Sequence, residues 1–460
     1  MTELLAERIA TQASSSLAVV DRRESLSYRD FWTRVTGTAA GMRGMRRAAV
    51  LPTSDVGSLV AVTAAMLSGT SVVLLHRHLL PEQFARVLAL TRPDVVLAAP
   101  SQHARLRKLG CTNPVDALHA DGPHDTATPD DELLVGVTSG TTGEPKLFVR
   151  NQRSWATTLD RSDATFDISP GDRVAAPGVL DHTHFLYGAL HALTRGASVD
   201  LRPALDALKD APTHLYSVPT IAWDIVRAGI RAPTVREVLS SAARWPSPGR
   251  LALQEVLPNA SLVHFYGASE LSFVSYDRGV DPGPGTLFDG VDAEIRDTLV
   301  HVRSDMLFDG YLTDSGLVGG PVDGWMTVGD RGIVDGRKLT LFGRDSDMLI
   351  RAGLNVELAP IEAVLTAIPG VTEAAVIAVP DVRMGEAPAA AVVLGTDPPA
   401  TAEIWRSLRA SLPSPSIPVQ LLAVEALPRT PRGKLDRDAL RALLSRERDA
   451  PSSRRTPGRP

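Results

Sequence analysis

The residues best suited to chemistry in this chain lie in one short segment, from Val137 to Lys146, with the sequence VTSGTTGEPK. The segment combines glycines, threonines, a serine and a lysine, and it directly follows the apolar run from Leu133 to Val135. A strand that opens into such a loop offers an anion backbone N–H groups, hydroxyls and one fixed positive charge. The segment therefore predicts a phosphate-binding loop, and the expected ligand is a nucleotide polyphosphate.

This loop differs from the Walker A motif of P-loop nucleotide-binding proteins. That motif is G-x4-G-K-[ST], in which a hydroxyl directly after the lysine holds magnesium. Here Glu144 and Pro145 separate Gly143 from Lys146, and Leu147 follows the lysine. A second Gly-Lys pair, at Lys434, also lacks the following hydroxyl residue. Taken alone, the segment leaves open a plain Gly/Thr-rich surface turn.

Four further segments follow the loop in a fixed order. They are FYGASE at 265–270, GWMTVGD at 324–330, LFGRD at 341–345 and PRTPRGKLD at 428–436. Together with the first loop, they resemble the adenylate-forming superfamily, which comprises acyl- and aryl-CoA synthetases, adenylation domains of nonribosomal peptide synthetases, and luciferases. The resemblance extends over essentially the whole chain, to about residue 445.

The resemblance implies a reaction in two steps. A carboxylate first attacks the α-phosphate of ATP, which gives an acyl-adenylate and pyrophosphate. The thiol of CoA, or of a carrier protein's phosphopantetheine, then displaces AMP. Because the first step joins two anions and builds charge on phosphorus, catalysis requires positioning and cationic stabilisation. The motifs found here supply residues of those kinds.

The resemblance assigns most of the motif residues to ATP. Glu270 is the expected Mg2+ ligand, Tyr266 would stack on adenine, Asp330 would accept both ribose hydroxyls, and Arg344 would contact ribose or phosphate. Taken singly, Asp330 is equally explained as a turn residue and Arg344 as a surface charge, whereas the alternative for Tyr266, a core tyrosine at a strand end, is disfavoured by Glu270 four positions on. The remaining predicted nucleotide-binding residues are Thr138, Ser139, Gly140, Thr141, Thr142, Gly143 and Lys146 in the loop, and Gly267 and Ser269 beside Glu270.

The C-terminal motifs are expected to serve the reacting groups. Lys434 would bridge the carboxylate and the α-phosphate during adenylation; the alternative is a solvated charge in a Pro/Arg-rich loop. Only five of the 48 basic residues are lysines. The occurrence of a lysine at both motif positions, Lys146 and Lys434, is therefore informative. Asp345 resembles the hinge about which the family's small domain rotates between steps. Gly353 would leave room for the pantetheine arm.

The acid-binding residue is harder to assign. The stretch from Leu180 to Gly188 contains Asp181, His182 and His184. Asp181 could imitate the aspartate with which amino-acid adenylation domains bind the substrate's ammonium group, but the surrounding residues fit the His-containing stretch of acyl- and aryl-CoA synthetases better. We predict that His182 faces the carboxylate, with His184 as the alternative.

Composition narrows the class of protein. The chain has 460 residues, 44% of them hydrophobic, which predicts two or more globular domains. A net charge of −5 gives no reason to expect nucleic acid as a partner. The single cysteine, Cys111, excludes a disulfide framework and a cysteine-based metal site. No apolar run approaches the roughly 18 residues of a membrane span, and no signal-peptide pattern opens the chain, so a cytoplasmic enzyme is expected.

Strands and helices alternate in the first half of the chain. Strands are predicted at 48–51, 71–75, 95–98, 215–218, 238–240 and 262–265, with helices at 58–67 and 81–90 between the first of them. This alternation predicts an α/β fold: a large N-terminal domain of helix-covered, mixed or parallel sheets over residues 1–343. Residues 344–447 are predicted to form a small, mobile C-terminal α+β domain that carries Lys434. Residues 448–460 are predicted to be a disordered basic tail.

These observations predict a stand-alone acid:thiol ligase that forms AMP and uses ATP, Mg2+ and CoA. The first alternative is a free-standing adenylation enzyme that loads an aryl or amino acid onto a carrier protein. A non-catalytic nucleotide-binding homologue is the third possibility, and it is disfavoured because Lys146, Glu270, Asp330, Arg344 and Lys434 occur together. The sequence names neither the acid nor the oligomeric state.

Overall fold

The computed structural model describes residues 3–12, 14–77, 79–139, 145–181, 183–344, 348–351, 354–381, 385–430 and 435–449. The chain divides into two compact units. The larger unit contains residues 1–328 and 333–340, and the smaller one contains residues 329–332 and the chain from residue 341 onward. No helix in the described ranges is long and apolar enough to cross a lipid bilayer.

The helices are α1 (Leu5–Ala10), α2 (Tyr28–Gly41), α3 (Val56–Ser68), α4 (Pro81–Thr91), α5 (Pro100–Lys108), α6 (Gln152–Thr165), α7 (Thr183–Thr194), α8 (Ala204–Ala207), α9 (Pro219–Ala228), α10 (Ser247–Val256), α11 (Leu358–Thr366), α12 (Thr401–Ser411) and α13 (Arg437–Asp449).

The strands are β1 (Leu17–Val20), β2 (Ser25–Ser27), β3 (Arg47–Leu51), β4 (Ser71–Leu74), β5 (Val95–Ala98), β6 (Glu132–Ser139), β7 (Pro145–Asn151), β8 (Arg173–Ala175), β9 (Ser198–Asp200), β10 (His214–Ser217), β11 (Glu237–Ser240), β12 (Ser261–Ala268), β13 (Ser272–Arg278), β14 (Gly285–Leu287), β15 (Asp292–Arg296), β16 (Leu299–Arg303), β17 (Gly310–Thr313), β18 (Gly316–Val318), β19 (Trp325–Met326), β20 (Asp330–Asp335), β21 (Lys338–Arg344), β22 (Met348–Arg351), β23 (Leu354–Glu357), β24 (Val371–Asp381), β25 (Gly385–Leu394) and β26 (Gln420–Val424).

A seven-stranded sheet in the larger unit has the order β18-β17-β7-β6-β4-β3-β5. Strands β5, β3, β4 and β6 are parallel, and β6 then turns back antiparallel into β7. Every residue of β3 and β4 is buried, as expected for strands covered on both faces. Helix α3 begins where the Asp55 carboxylate accepts the Ser58 N–H at 2.7 Å, and it ends at Gly69, whose φ of 73° terminates the helix. The strands and helices predicted for this part of the chain are confirmed.

The second sheet of the larger unit contains the order β14-β13-β12-β11-β10-β8-β9-β1-β2. Strands β8 to β12 pair in parallel, and β12 continues into β13 as an antiparallel hairpin. The strands predicted at 215–218, 238–240 and 262–265 correspond to β10, β11 and β12. Their inward side chains pack with α9 and α10 around the fully buried Trp245 and Leu253.

The smaller unit contains one mixed sheet, in which β24, β25 and β26 form the centre. Helices α11 and α12 supply Ile361, Leu365 and Leu408 to one buried cluster, whereas α13 supplies Leu440 and Leu444 to a second. The predicted small α+β unit is therefore confirmed. Helix α11 begins at Leu358 and carries Pro360 in its first turn, where a proline removes no intrahelical hydrogen bond. Helix α13 extends to Asp449, into the predicted tail, whose residues 450–460 lie outside the described chain.

The hairpin between β12 and β13 requires a glycine. The strand register shifts between Tyr266 and Gly267, and the two backbones approach closely at this bulge. A Cβ atom at Gly267 would lie 2.1 Å from the carbonyl oxygen of Ser272. Because a backbone carbonyl in a paired strand cannot rotate away, no other residue fits without moving the hairpin.

We predict that Gly267→Ala destabilises the larger unit by about 3 kcal/mol, because overpacking against a fixed backbone forces the strands apart. Thermal unfolding followed by circular dichroism should show a midpoint lower by about 5 °C. Gly283→Ala is the matched control, since a Cβ there meets no atom within 4 Å. Equal midpoints for the two variants would contradict this account of the bulge.

A half-buried histidine, His264, lies on β12 of the same hairpin, opposite Asp277. The ring of His264 packs edge-on against Trp245, with 6.0 Å between the ring centres. The guanidinium of Arg250, which is paired with Asp277, lies over the Trp245 ring, 5.3 Å from the centre of that ring. Burial, together with the positive charge of Arg250, lowers the pKa of His264 to about 3. The imidazole is therefore neutral in the folded protein, whereas in the unfolded chain it titrates near its ordinary pKa of about 6.5.

The sign of the resulting pH dependence follows from proton binding. Below about pH 6.5 the unfolded chain binds a proton at His264 that the folded chain excludes, so His264 lowers stability with falling pH, by about 2 kcal/mol between pH 7 and pH 5. We predict that His264→Gln removes this contribution, whereas the fall caused by His184, whose pKa burial also lowers, remains. Urea unfolding at both pH values, followed by tryptophan fluorescence, measures the difference. The same pH dependence in wild type and variant would show that His264 is not the cause.

Candidate functional site

The ends of the predicted phosphate loop are set by a β-hairpin. Strands β6 and β7 pair through Thr138 with Lys146, and through Ser139 with Pro145. The Thr138 hydroxyl donates to the Lys146 carbonyl at 3.4 Å. The side chain of Lys146 is exposed, and its Nζ lies 5.2 Å from the centre of the Tyr311 ring. Gly140, Thr141, Thr142 and Gly143 lie outside the described residues, as does the side chain of Ser139.

Glu270 lies in the tight turn between β12 and β13. The Leu271 N–H closes the turn on the Ala268 carbonyl at 3.1 Å. The carboxylate is half-buried, and its Oε1 accepts a hydrogen bond from the Tyr311 hydroxyl at 2.7 Å. Within the described part of the chain, its second oxygen makes no hydrogen bond. Tyr311 thus holds one of the two carboxylate oxygens.

Residues 308–311 connect the two hairpins, which belong to different sheets. The Phe308 N–H donates to the Glu270 carbonyl at 3.0 Å, and the Asp309 N–H donates to the Val149 carbonyl at 2.9 Å. Strand β17 then pairs antiparallel with β7, with Tyr311 opposite Phe148. The segment is therefore bonded at one end to the Glu270 turn and along its length to the strand that begins with the loop.

A buried polar network provides a second connection. Arg150 is buried in β7, and its guanidinium donates to Ser154 Oγ at 3.0 Å and to Thr158 Oγ1 at 3.4 Å. The Thr158 hydroxyl lies 2.9 Å from that of Ser272, directly after the Glu270 turn. Burial lowers the pKa of Arg150 to about 10, so the group still carries its charge at neutral pH. Removal of one partner would leave buried polar atoms unpaired, which is costly.

The residues present fit a magnesium ion. Among the described residues, no group of three or more His, Cys, Asp or Glu side chains could hold a metal. Mg2+ commonly binds one or two carboxylates and completes its shell with water and substrate phosphates. The carboxylate oxygen of Glu270 that makes no hydrogen bond to the described residues matches that pattern, which does not require a cage built from protein ligands alone.

The predicted adenosine residues divide between the two units. Tyr266 is half-buried on β12 opposite Ser275, and Gly267 and Ser269 lie with it around the Glu270 turn. Asp330 begins β20 as a buried residue that belongs to the smaller unit. The remaining predicted residues are outside the described chain: His182, Asp345, Gly353 and Lys434, together with the side chain of Arg344 at the end of β21.

His184, the alternative to His182, lies in an aromatic environment near the start of α7. Its Nε2 lies 2.8 Å from the carbonyl oxygen of Ser217, and because a carbonyl only accepts, Nε2 carries the proton. The rings of Phe185, Tyr216 and Phe265 surround it at 5.0, 5.4 and 5.5 Å between centres. Burial lowers the pKa of His184 to about 4, against the opposing effect of the Ser217 bond. His184 is thus a neutral, hydrogen-bonded ring at working pH.

The contacts of Asp181 indicate that its carboxylate stabilises the fold. Its side chain is fully buried, and its Oδ2 accepts the Arg77 N–H at 3.1 Å. The His76 and Arg77 side chains approach the same oxygen at 3.8 Å. These contacts compensate the buried carboxylate and fix the chain after β4, which disfavours the alternative that Asp181 binds a substrate ammonium group.

Sequence reasoning missed Tyr311, the residue that contacts both predicted phosphate-site side chains. Its local sequence, FDGYL, carries no phosphate-binding pattern. Its position follows from the pairing of β17 with β7, which is far earlier in the chain. No signal short of that pairing could have identified it.

Comparison with known proteins indicates the same family as the sequence motifs. The family model of the AMP-binding enzymes matches residues 6–312, and that of the AMP-binding enzyme C-terminal domain matches residues 360–434. An uncharacterised acyl-CoA ligase of Bacillus subtilis is 31% identical over 95% of this chain and 96% of its own length. A long-chain-fatty-acid–CoA ligase of Mycobacterium tuberculosis is 30% identical over 71% of this chain and 70% of its own.

The fold also matches solved structures. ATP-bound MatB from Rhodopseudomonas palustris superposes with a TM-score of 0.85 at 22% identity, over 95% of this chain and 98% of that one. The resemblance to the adenylate-forming superfamily predicted from five motifs is confirmed, and so is the predicted fold class. The chain belongs to the AMP-binding enzyme family.

Proposed function

We propose that this protein is an AMP-forming acid:thiol ligase, which activates a carboxylic acid with ATP and transfers the acyl group to CoA. The observation that carries the proposal is the common surface formed by Lys146, Tyr311 and Glu270 at the mouth of the phosphate-loop hairpin. The names of the Bacillus and Mycobacterium relatives, both CoA ligases, support it. ATP and CoA as cosubstrates favour the cytoplasm as its location.

The triphosphate would bind along this surface. Lys146 and the loop from Thr138 to Gly143 would hold the β- and γ-phosphates, because the exposed ammonium lies at the loop's end. Glu270 would ligate Mg2+ through the oxygen that Tyr311 leaves available. The ion supplies charge neutralisation on the phosphates when bound. Tyr266, Gly267, Ser269, Asp330 and Arg344 would bind the adenosine part.

The bond-making step then requires a cation at the α-phosphate. A carboxylate oxygen of the acid attacks α-phosphorus, the bond to the bridging oxygen breaks, and pyrophosphate departs with that electron pair. We assign to Lys434 the neutralisation of the negative charges on the attacking carboxylate and on the α-phosphate. His182 would orient the carboxylate. In the second step the thiol gives up its proton to solvent and its sulfur attacks the acyl carbon; the bond from that carbon to the bridging oxygen breaks, and AMP leaves with the oxygen that came from the acid.

Rearrangement between the two steps would involve the smaller unit. Asp345 would act as the hinge, and Gly353 would admit the pantetheine arm of CoA. A carrier protein is the alternative acceptor, because the same arm is attached to it. The acid is proposed to be an acyl or aryl carboxylate, and the names of the two relatives, an acyl-CoA ligase and a long-chain-fatty-acid–CoA ligase, support the acyl class.

The direct test is pyrophosphate release from ATP and Mg2+ across a panel of fatty, aryl and amino acids, followed by mass spectrometry of the products with CoA. We expect release that depends on one class of acid, and an acyl-CoA product when CoA is added. Release of pyrophosphate without any acyl-CoA, but with acylation of a carrier protein, would favour the loading enzyme. The absence of acid-dependent release across the panel would overturn the proposal.

Lys434→Ala should separate the half-reactions. We predict that adenylate formation falls by about 10²–10³-fold, as for the loss of one preorganised charge-stabilising group. Thioester formation from supplied acyl-adenylate should be largely retained. Lys338→Ala is the control, because that lysine bonds the Thr286 hydroxyl at 2.8 Å on an exposed strand. An equal loss in both half-reactions would contradict the role given to Lys434.

A further inference from the structure

Tyr311 contacts the two charged groups of the phosphate site with different parts of its side chain. The hydroxyl donates to Glu270 Oε1 at 2.7 Å, and Lys146 Nζ lies over the face of the ring, 5.2 Å from the ring centre. The ring itself is fixed by an edge-on contact with Phe308, with 4.9 Å between centres. One half-buried side chain thus connects an anion and a cation that come from different sheets.

Neither contact is explained by packing alone. A carboxylate at the tip of a hairpin turn has several accessible rotamers, and a hydrogen bond from a fixed donor selects one of them. A tyrosine face attracts an ammonium group by its quadrupole while leaving the ammonium's own N–H donors directed outward. A phenylalanine would supply the ring but not the donor, and a leucine would supply neither.

We infer that Tyr311 is a positioning residue for the metal–triphosphate complex, and this inference rests on the proposed function. Its hydroxyl holds one oxygen of Glu270, so that the other oxygen points toward the phosphate site for Mg2+. Its ring holds Lys146 at the end of the phosphate loop. Tyr311 itself touches neither the acid nor the reacting phosphorus in this assignment, and it acts through its two neighbours.

Main-chain hydrogen bonds fix the position of Tyr311 relative to both hairpins. The Phe308 N–H bonds the Glu270 carbonyl at 3.0 Å, and β17 pairs with β7 at Tyr311 and Leu312. The distance between the Tyr311 ring and each hairpin is therefore set by main-chain hydrogen bonds. Preorganisation of this kind lowers the entropy lost when the ligand binds.

The two contacts make separable predictions for ATP binding, measured by titration calorimetry with and without Mg2+. Tyr311→Phe should leave metal-free ATP binding unchanged but reduce the gain in affinity from Mg2+ by about tenfold, because one hydrogen bond to a charged group is lost. Tyr311→Leu should weaken metal-free ATP binding as well, by about fivefold, because Lys146 loses the ring. The measurement needs no acid and no turnover.

Tyr276→Phe is the matched control. In the described structure its hydroxyl makes no hydrogen bond, and its ring packs on Phe288 at 4.9 Å between centres. This variant should bind ATP and Mg2+ as wild type does, and all three variants should retain the wild-type unfolding temperature within about 3 °C.

The outcomes distinguish this inference from the proposed function. If wild type gains affinity for ATP from Mg2+ and Tyr311→Phe gains as much, the positioning role is wrong while the ligase proposal stands. If wild type binds no ATP under either condition, the proposed function itself fails. An equal loss with and without Mg2+ in Tyr311→Phe would indicate a structural defect and would also overturn the inference.

Discussion

The candidate site depends on one constraint: two hairpins from different sheets must be held at a fixed separation. The phosphate-loop hairpin belongs to the seven-stranded sheet, and the Glu270 hairpin belongs to the sheet that contains β12 and β13. Residues 308–311 bond to both through the main chain, and Tyr311 completes the connection through its side chain. Without this segment, the cation of Lys146 and the carboxylate of Glu270 would be positioned independently of each other.

The same constraint explains why apparently costly features surround the site. Gly267 is required because the β12 and β13 backbones lie too close together at this position to leave room for a Cβ atom. The same close approach forms the turn that carries Glu270. Arg150 is buried, yet hydroxyls on α6 satisfy it and reach Ser272 on the far side of the turn.

Much of the fold was predictable from the sequence because its strands are short apolar runs between periodic helices. Those runs correspond to β3, β4, β5, β10, β11 and β12, and the pattern also indicated the smaller α+β unit. The motifs indicated the family, since they combine residue types that phosphate and metal binding require. Tyr311 was not predictable because pairing between distant strands determines its neighbours. The neutrality of His184 was equally hidden, since it follows from burial and one carbonyl contact. The roles of His182 and Lys434 stay predictions, because both lie outside the described residues.

In the proposed reaction, the acid's own oxygen attacks the α-phosphate of an ATP molecule held at this site. The most direct measurement is a single-turnover reaction with acid labelled by ¹⁸O in both carboxylate oxygens, with mass spectrometry of every phosphorus-containing product. Attack by the carboxylate places one ¹⁸O atom in AMP and none in pyrophosphate. Label in inorganic phosphate would show attack at the γ-phosphate, and unlabelled AMP would show that water and not the carboxylate is the nucleophile. Either result would rule out attack by the carboxylate at the α-phosphate.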